Sequence, residues 1–299
     1  MKKILSLLLV FSMIFAVAAF AGCNNTTTKD DKSTDKTDTT GKAVDNSSSS
    51  AATDTSLADI KKKGEIIMYT NAEFPPFEYM KGENVAGVDV DIANAIAKDL
   101  GVKLTIKSVA FDTIIGSIKA SKGDFGAAGM TVTPERSQEV DFSTKYVKSK
   151  QYIIVADKSE VATIEDLKGM KIGVQEGTTG DFTISDALDK DKKGVLAGTD
   201  AEILRYPNAL DASMALKSGK IQAVVIDQLP AQNIATANDG LKAFELVFAN
   251  GKNTEEEYAI CVKKGNKTLL DAINKTIDKL IEDGSIDKFV LKHTSDATA

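Results

Sequence analysis

Few side chains in this sequence are of the types that carry covalent chemistry. The single histidine, His293, stands in a polar stretch near the C-terminus, which predicts a surface residue rather than a general base. There are two cysteines. Cys261 sits in the apolar run Tyr258-Ala259-Ile260-Cys261-Val262, which reads as a buried strand with a small core residue. With Cys23 far away near the N-terminus, neither a disulfide nor a cysteine metal site is expected. No Gly-x-Ser-x-Gly nucleophile turn occurs. The groups suited to holding charge are more informative. Gly177-Thr178-Thr179-Gly180 follows a strand pattern and opens a helical one, so its backbone N–H groups favour an anion. Arg136 follows Thr133-Pro134-Glu135, which by itself is the pattern of a solvated residue at a helix start. Asp227 ends the apolar run Ala223-Val224-Val225-Ile226, where an acid alone reads as a turn or N-cap residue. Phe74 and Phe111 alone read as core aromatics. Asp89 and Asp91 resemble paired carboxylates, but they open a helix, where acids favour the macrodipole.

The elements that must position these groups alternate in type. Glu65–Thr70 reads as a buried strand, and residues 89–100 place Ile92, Ile96 and Leu100 on one helical face with Gly101 at the stop. Residues 103–109 alternate as a strand, and residues 112–120 carry Ile114, Ile115 and Ile118 as a helix. The second half repeats the habit with strand Lys171–Gln175, a helix at 211–217 and a strand at 221–227. A final amphipathic helix carries Leu269, Ile273, Ile277 and Leu280 and stops at Gly284. Such β-α-β-α order predicts parallel sheets, whose strand ends open onto a crevice where ligands bind. Two such halves facing each other make a cleft.

The N-terminus sets the compartment. Met1-Lys2-Lys3 precedes residues 4–21, which carry no charge, so residues 1–22 read as an export signal. The run ends in Phe20-Ala21-Gly22-Cys23, which resembles a bacterial lipobox with Phe20 in place of the usual leucine. Cys23 would be lipidated, with palmitate-type chains, and become the mature N-terminus; an uncleaved membrane anchor is the alternative. Residues 23–56 are mostly Thr, Asp, Lys, Ser and Asn, too polar to offset the entropy of ordering, and read as a disordered tether. This pairing implies an extracellular lipoprotein held on the cell membrane of a Gram-positive-type bacterium. Against 43 acids stand 37 lysines and arginines, and removal of residues 1–22 takes away two of the lysines, which argues against nucleic acid as partner.

Several ordered blocks then carry a family resemblance. Phe74-Pro75-Pro76-Phe77-Glu78-Tyr79, Gly87-Val88-Asp89-Val90-Asp91-Ile92 and Ala128-Gly129-Met130-Thr131-Val132-Thr133-Pro134-Glu135-Arg136 come first. Asp141-Phe142-Ser143, Gly177-Thr178-Thr179-Gly180 and Glu257-Tyr258-Ala259-Ile260 follow. Together they resemble the amino-acid-binding proteins of ABC importers, the family-3 extracellular solute-binding proteins. Val88 and His293 depart from the usual residues at their positions, in packing rather than in the pocket.

The resemblance implies an α/β, two-lobed periplasmic-binding-protein-like (Venus flytrap) fold of type II with a two-strand hinge. Lobe 1 would comprise residues 57–146 and 258–299, and lobe 2 residues 147–257, with hinge crossings near 147–150 and 254–257. It further implies that Arg136 holds a ligand carboxylate through paired hydrogen bonds, with N–H groups of Thr131 and Thr179. Asp227 would pair with the ammonium group, helped by the Gly129 carbonyl and the Thr131 hydroxyl. Phe74 and Phe111 would flank the aliphatic part of the ligand. Asn71, Glu73 and Gln175 would meet the ligand side chain, and an added acid at Glu73 favours arginine, lysine or glutamine. The implied partners are a free L-amino acid and separate permease subunits that dock on both lobes of a monomer, with no cofactor. An enzyme of dehydratase type on the same fold and a ligand-sensing module are the competing readings.

Overall fold

The computed structural model of the chain describes residues 54–297. The expected signal segment, Cys23 and the tether up to residue 53 lie outside the described residues.

Two sheets organise the described chain. The first has the strand order Lys103–Ser108, Glu65–Thr70, Phe125–Gly126, Cys261–Lys263, Val140–Phe142. Its first three strands are parallel, as the β-α-β-α pattern requires, and Cys261–Lys263 enters antiparallel from far along the sequence. The second sheet has the order Glu202–Tyr206, Lys171–Gln175, Ala223–Asp227, Val147–Ala156, Leu241–Glu245. Again the first three are parallel, while the long strand Val147–Ala156 runs against its neighbours. A small meander, Glu73–Phe74, Glu78–Lys81 and Asn84–Ala86, lies beside the first sheet's helix Val88–Leu100.

The helices form where apolar spacing asks for them. Val88–Leu100 buries Ile92 and Ile96 completely, each contributing roughly 1.5–3 kcal/mol of transfer free energy. It stops at Gly101, whose φ of 70° and N–H bond to Ala97 O make a left-handed C-cap. Lys267–Glu282 presents Leu269, Ile273, Ile277 and Leu280 as a buried stripe and packs on Val88–Leu100. The expected helix at 112–120 divides into a 3₁₀ turn, Phe111–Thr113, and a helix, Ile114–Lys119.

Three expectations need correction. The C-terminus does not trail off after Gly284: Ser285–Ala297 forms another helix. Ile286 and His293, seven residues apart, fall on its buried face, so His293 is 2% exposed rather than on the surface. Its ring nitrogens meet Tyr79 Oη at 3.0 Å and Asp91 Oδ2 at 2.9 Å. The apolar run 258–262 is not one strand either. Tyr258 ends the strand Glu255–Tyr258, the Ala259 N–H donates to the Met130 carbonyl, and Cys261 begins the first-sheet strand. Cys261 itself is a buried free thiol, and burial pushes it up to about 12, which keeps it unreactive.

Two connections join the sheets side by side. The start of Val147–Ala156 pairs antiparallel with Glu255–Tyr258, with Ser149 opposite Glu256 and Val147 opposite Tyr258. Leaving and returning on adjacent strands gives the two sheet-bearing lobes one common axis of connection.

Candidate functional site

A narrow cavity of about 280 Å³, counting its open mouth, lies between the two lobes. From the first lobe it is lined by Asn71, Phe74, Phe111, Gly129, Thr131 and Arg136. Gln175, Thr178, Thr179 and Asp227 of the second lobe close it. All but one of the ten positions singled out in the sequence therefore meet at one place. The exception is Glu73, which is exposed and does not line the cavity. The short strand Glu73–Phe74 explains this, because alternate residues point to opposite faces: Phe74 turns inward and Glu73 outward.

Arg136 is placed by a short helix, Pro134–Glu139, with proline at its start and Thr133 as N-cap accepting from the Arg136 N–H at 3.2 Å. The side chain is buried. Its Nη1 donates to the Thr131 carbonyl at 2.8 Å, and Nη2 reaches across to the Gly177 carbonyl at 3.0 Å. Phe111 stacks over the guanidinium at 5.3 Å and Phe182, from the second lobe, at 6.0 Å. Phe111 thus holds the cation as well as lining the cavity. Burial lowers the Arg136 pKa, opposed by Asp227 and Glu256, and a guanidinium so affected still carries its charge at neutral pH.

Asp227 stands at the end of Ala223–Asp227 and at the N-cap of helix Gln228–Thr236. Its side chain makes no capping bond; Oδ1 accepts from the Tyr258 hydroxyl at 2.8 Å instead. The acid is therefore turned from its own helix toward the cavity. Burial and the adjoining Glu256 carboxyl hold it well above the usual carboxylate range.

Gly177-Thr178-Thr179-Gly180 does follow strand Lys171–Gln175 and open helix Thr179–Leu188, with Thr178 as N-cap accepting from the Asp181 N–H. Gly177 has φ 76°, and a Cβ there would stand 3.0 Å from Asp112 Cβ, so glycine permits the lobes to approach at this point. A second bridge joins Gln175 Nε2 to Asn71 Oδ1 at 3.0 Å.

Gly129 is another position where glycine is required. Its φ is 53°, and a Cβ would meet Phe74 Cε1 at 2.7 Å. Its N–H donates to Asp89 Oδ2 at 2.8 Å, while Asp89 Oδ1 accepts from the Tyr146 hydroxyl at 2.8 Å. Asp89 and Asp91 do occupy a helical first turn, yet Asp89 is fully buried and fixes the cavity wall, and Asp91 receives His293 and Lys292. Burial pushes Asp89 up to about 6, the hydrogen bonds to it opposing the shift. Glu78 lies against it, fully buried, with no hydrogen-bond donor at either oxygen. Burial and the Asp89 charge hold Glu78 well above its ordinary value.

Three polar groups were not singled out from the sequence. Glu256 Oε2 accepts from Thr131 Oγ1 and Oε1 from Gln151 Nε2, both at 2.9 Å, and Gln151 Nε2 also reaches Thr179 Oγ1 at 3.2 Å. With Tyr258 they form a polar floor tied to both connecting strands. The signal for Glu256 and Tyr258 was their two-residue spacing, which puts both on the buried face of one strand.

Arg136 and Asp227 line one cavity from different lobes, and such opposite charges are chemically suited to a small zwitterion. Residues 66–296 match the model of the bacterial extracellular solute-binding proteins, family 3, and the chain belongs to that family. It is 31% identical over 231 residues to the arginine-binding extracellular protein ArtP of Bacillus subtilis, covering 77% of this chain and 86% of the relative. To the ABC transporter glutamine-binding protein GlnH of Bacillus subtilis it is 32% identical over 298 residues, covering 98% and 97%. The crystal structure of AbpA, an amino acid ABC transporter substrate-binding protein from Streptococcus pneumoniae bound to L-arginine, matches with TM-score 0.72 and 32% identity, covering 81% of this chain and 99% of that one. The two-lobed type II architecture is the fold of these neighbours, and the family and its amino-acid-binding relatives support a substrate-binding role in amino-acid transport. No helix among the described residues is long and apolar enough to cross a membrane.

Proposed function

We propose that the chain is the extracellular, lipid-anchored substrate-binding protein of an ABC importer, and that it takes one polar or basic L-amino acid between its lobes. The observation that carries this reading is the opposition of Arg136 and Asp227, buried on different lobes yet lining one cavity. An α-amino acid presents a carboxylate to the guanidinium and an ammonium group to the acid, so one ligand spans the gap. Its binding energy then favours the closed arrangement over the open one, which a permease can read. The connecting strands at 147–150 and 254–257 serve as the hinge, between a lobe of residues 57–146 and 258–299 and a lobe of residues 147–257.

Within the cleft, Phe74 and Phe111 supply apolar contact, and Gly129, Thr131 and Thr179 complete the polar shell. Selection of the side chain falls to Asn71 and Gln175, since Glu73 faces away. Two carboxamides both donate and accept, which suits a guanidinium or another amide. We favour arginine, lysine or glutamine; the arginine-binding and glutamine-binding names of the relatives support the first and last. Cys23 is the lipid attachment point and the residues that follow it are the tether, which ends before the expected residue 56 because Asp54 accepts from the Thr268 N–H and Ser56 opens the helix Ser56–Lys63, so the monomeric binding body works close to the membrane.

Calorimetric titration of the purified chain with each of the twenty amino acids tests the reading. Micromolar binding, about -8 kcal/mol, of arginine, lysine or glutamine is the expected result. Silence from every amino acid would remove the assignment.

A further inference from the structure

One short segment of the second lobe serves Arg136 twice. The Gly177 carbonyl accepts from Arg136 Nη2 at 3.0 Å, and the ring of Phe182 stands 6.0 Å from the guanidinium carbon. Phe182 lies one turn into helix Thr179–Leu188, its N–H donating to the carbonyl of the N-cap Thr178 at 3.1 Å. Yet this ring has no part in the apolar core of its own lobe, to which the same helix contributes Ile184 and Ala187. Nor does it line the ligand cavity. Phe182 lines instead a wide, open groove outside it, together with Thr133 and Glu135 of the first lobe. Thr131 and Thr179 line both the groove and the cavity, so the two meet beside the guanidinium. Phe182 is 47% exposed and Arg136 only 7%, which puts the ring on the solvent side of the cation. An aromatic residue left this exposed, off its own core and against a charge of the other lobe, is explained by that charge.

We propose that Phe182 is a positioning residue of the carboxylate subsite: when the lobes meet, its ring covers the Arg136 guanidinium, holds its orientation and keeps water from it, and so tightens the grip on the ligand carboxylate without touching the ligand. The proposal rests on the reading of Arg136 as the carboxylate partner. Phe111 gives the cation a ring from its own lobe, whereas the ring of Phe182 arrives with the other. The contact with Phe182 therefore exists only in the closed arrangement and adds to the binding energy that favours it. Its loss should weaken amino-acid binding about fivefold, the scale of a partly exposed cation–π contact.

Calorimetric titrations with L-arginine, L-lysine and L-glutamine test it, on the parent, Phe182→Ala, Phe182→Leu, Phe182→Tyr, Arg136→Ala and the Arg136→Ala/Phe182→Ala double variant. For whichever ligand the parent binds, Phe182→Ala should lose about fivefold in affinity. Phe182→Tyr keeps the ring and should restore it, while Phe182→Leu, apolar without a ring, should recover only part. With Arg136 already gone there is no cation to cover, so adding Phe182→Ala should cost less than about twofold more. This dependence on Arg136 separates a positioning role from a general effect on the helix. A Phe182→Ala variant with parental affinity overturns the inference and leaves the proposed function standing. So does an equal loss from Phe182→Ala whether or not Arg136 is present, or full restoration by leucine. A parent protein that binds none of the three amino acids overturns both.

Discussion

The guanidinium of Arg136, on the first lobe, donates to the Gly177 carbonyl of the second at 3.0 Å. Together with the 3.0 Å bond from Gln175 to Asn71, it joins the lobes on either side of the cavity that Asp227 also lines. These contacts link the lobes that carry Arg136 and Asp227, the two charges proposed to hold the ends of a zwitterion.

Removing either charge leaves the opposite end of the ligand unpaired in a partly buried site. Arg136→Ala and Asp227→Ala should each weaken amino-acid binding by at least about 2 kcal/mol, roughly thirtyfold. Calorimetry on the two variants reads this directly, and near-native affinity in either would count against its role.

Because Glu73 faces solvent while Gln175 faces the cavity, the two positions should respond differently. Glu73→Gln is expected to change affinity by less than about twofold, the scale of a solvent-exposed charge. Gln175→Glu places an acid against Asn71 Oδ1 and should shift preference from glutamine toward arginine. Competition between the two ligands measures the shift; equal effects of both substitutions would contradict the geometry.

Asp89 gives a pH-dependent signature. Its value rises from 3.8 to about 6 in the folded protein. A raised acid stabilises the fold fully below its unfolded value, and that contribution is lost as pH rises through the folded value. Between about pH 4 and pH 7 this group alone should therefore cost the protein on the order of 3 kcal/mol as the pH rises. Denaturant unfolding of the parent and Asp89→Asn at the two ends of this range checks the sign, since the variant should lack that part of the slope.

A methyl group at position 129 has nowhere to go. Gly129→Ala combines a left-handed φ of 53° with a Cβ 2.7 Å from the Phe74 ring, so Phe74 must shift from the cavity wall. Lower thermal stability together with weaker ligand binding is expected. Lost stability with intact binding would mean that Phe74 is not a ligand contact.

What could be read from the sequence depended on how local the determinant was. Arg136 and Thr131 are five residues apart, linked by a proline-started helix, so the motif itself carries their geometry. Glu256 is legible only once its strand is known to pair with residues 147–150, more than a hundred positions earlier, and no local pattern supplies that register. Glu73 and Phe74 cannot be told apart in this way, because a two-residue strand offers too little alternation to fix which side chain turns inward. The polar character of the helix Ser285–Ala297 hides a buried face built from Ile286 and a histidine satisfied by Tyr79 and Asp91.

The central claim is that each charged end of the ligand is held by its own side chain, and analogues lacking one end test it most directly. L-Arginine and agmatine, the same molecule without the carboxylate, should be titrated into the parent protein, Arg136→Ala and Asp227→Ala. The parent and Asp227→Ala should prefer arginine by at least about thirtyfold, and Arg136→Ala should bind the two nearly equally. An Arg136→Ala variant that kept the full preference for arginine would contradict the account.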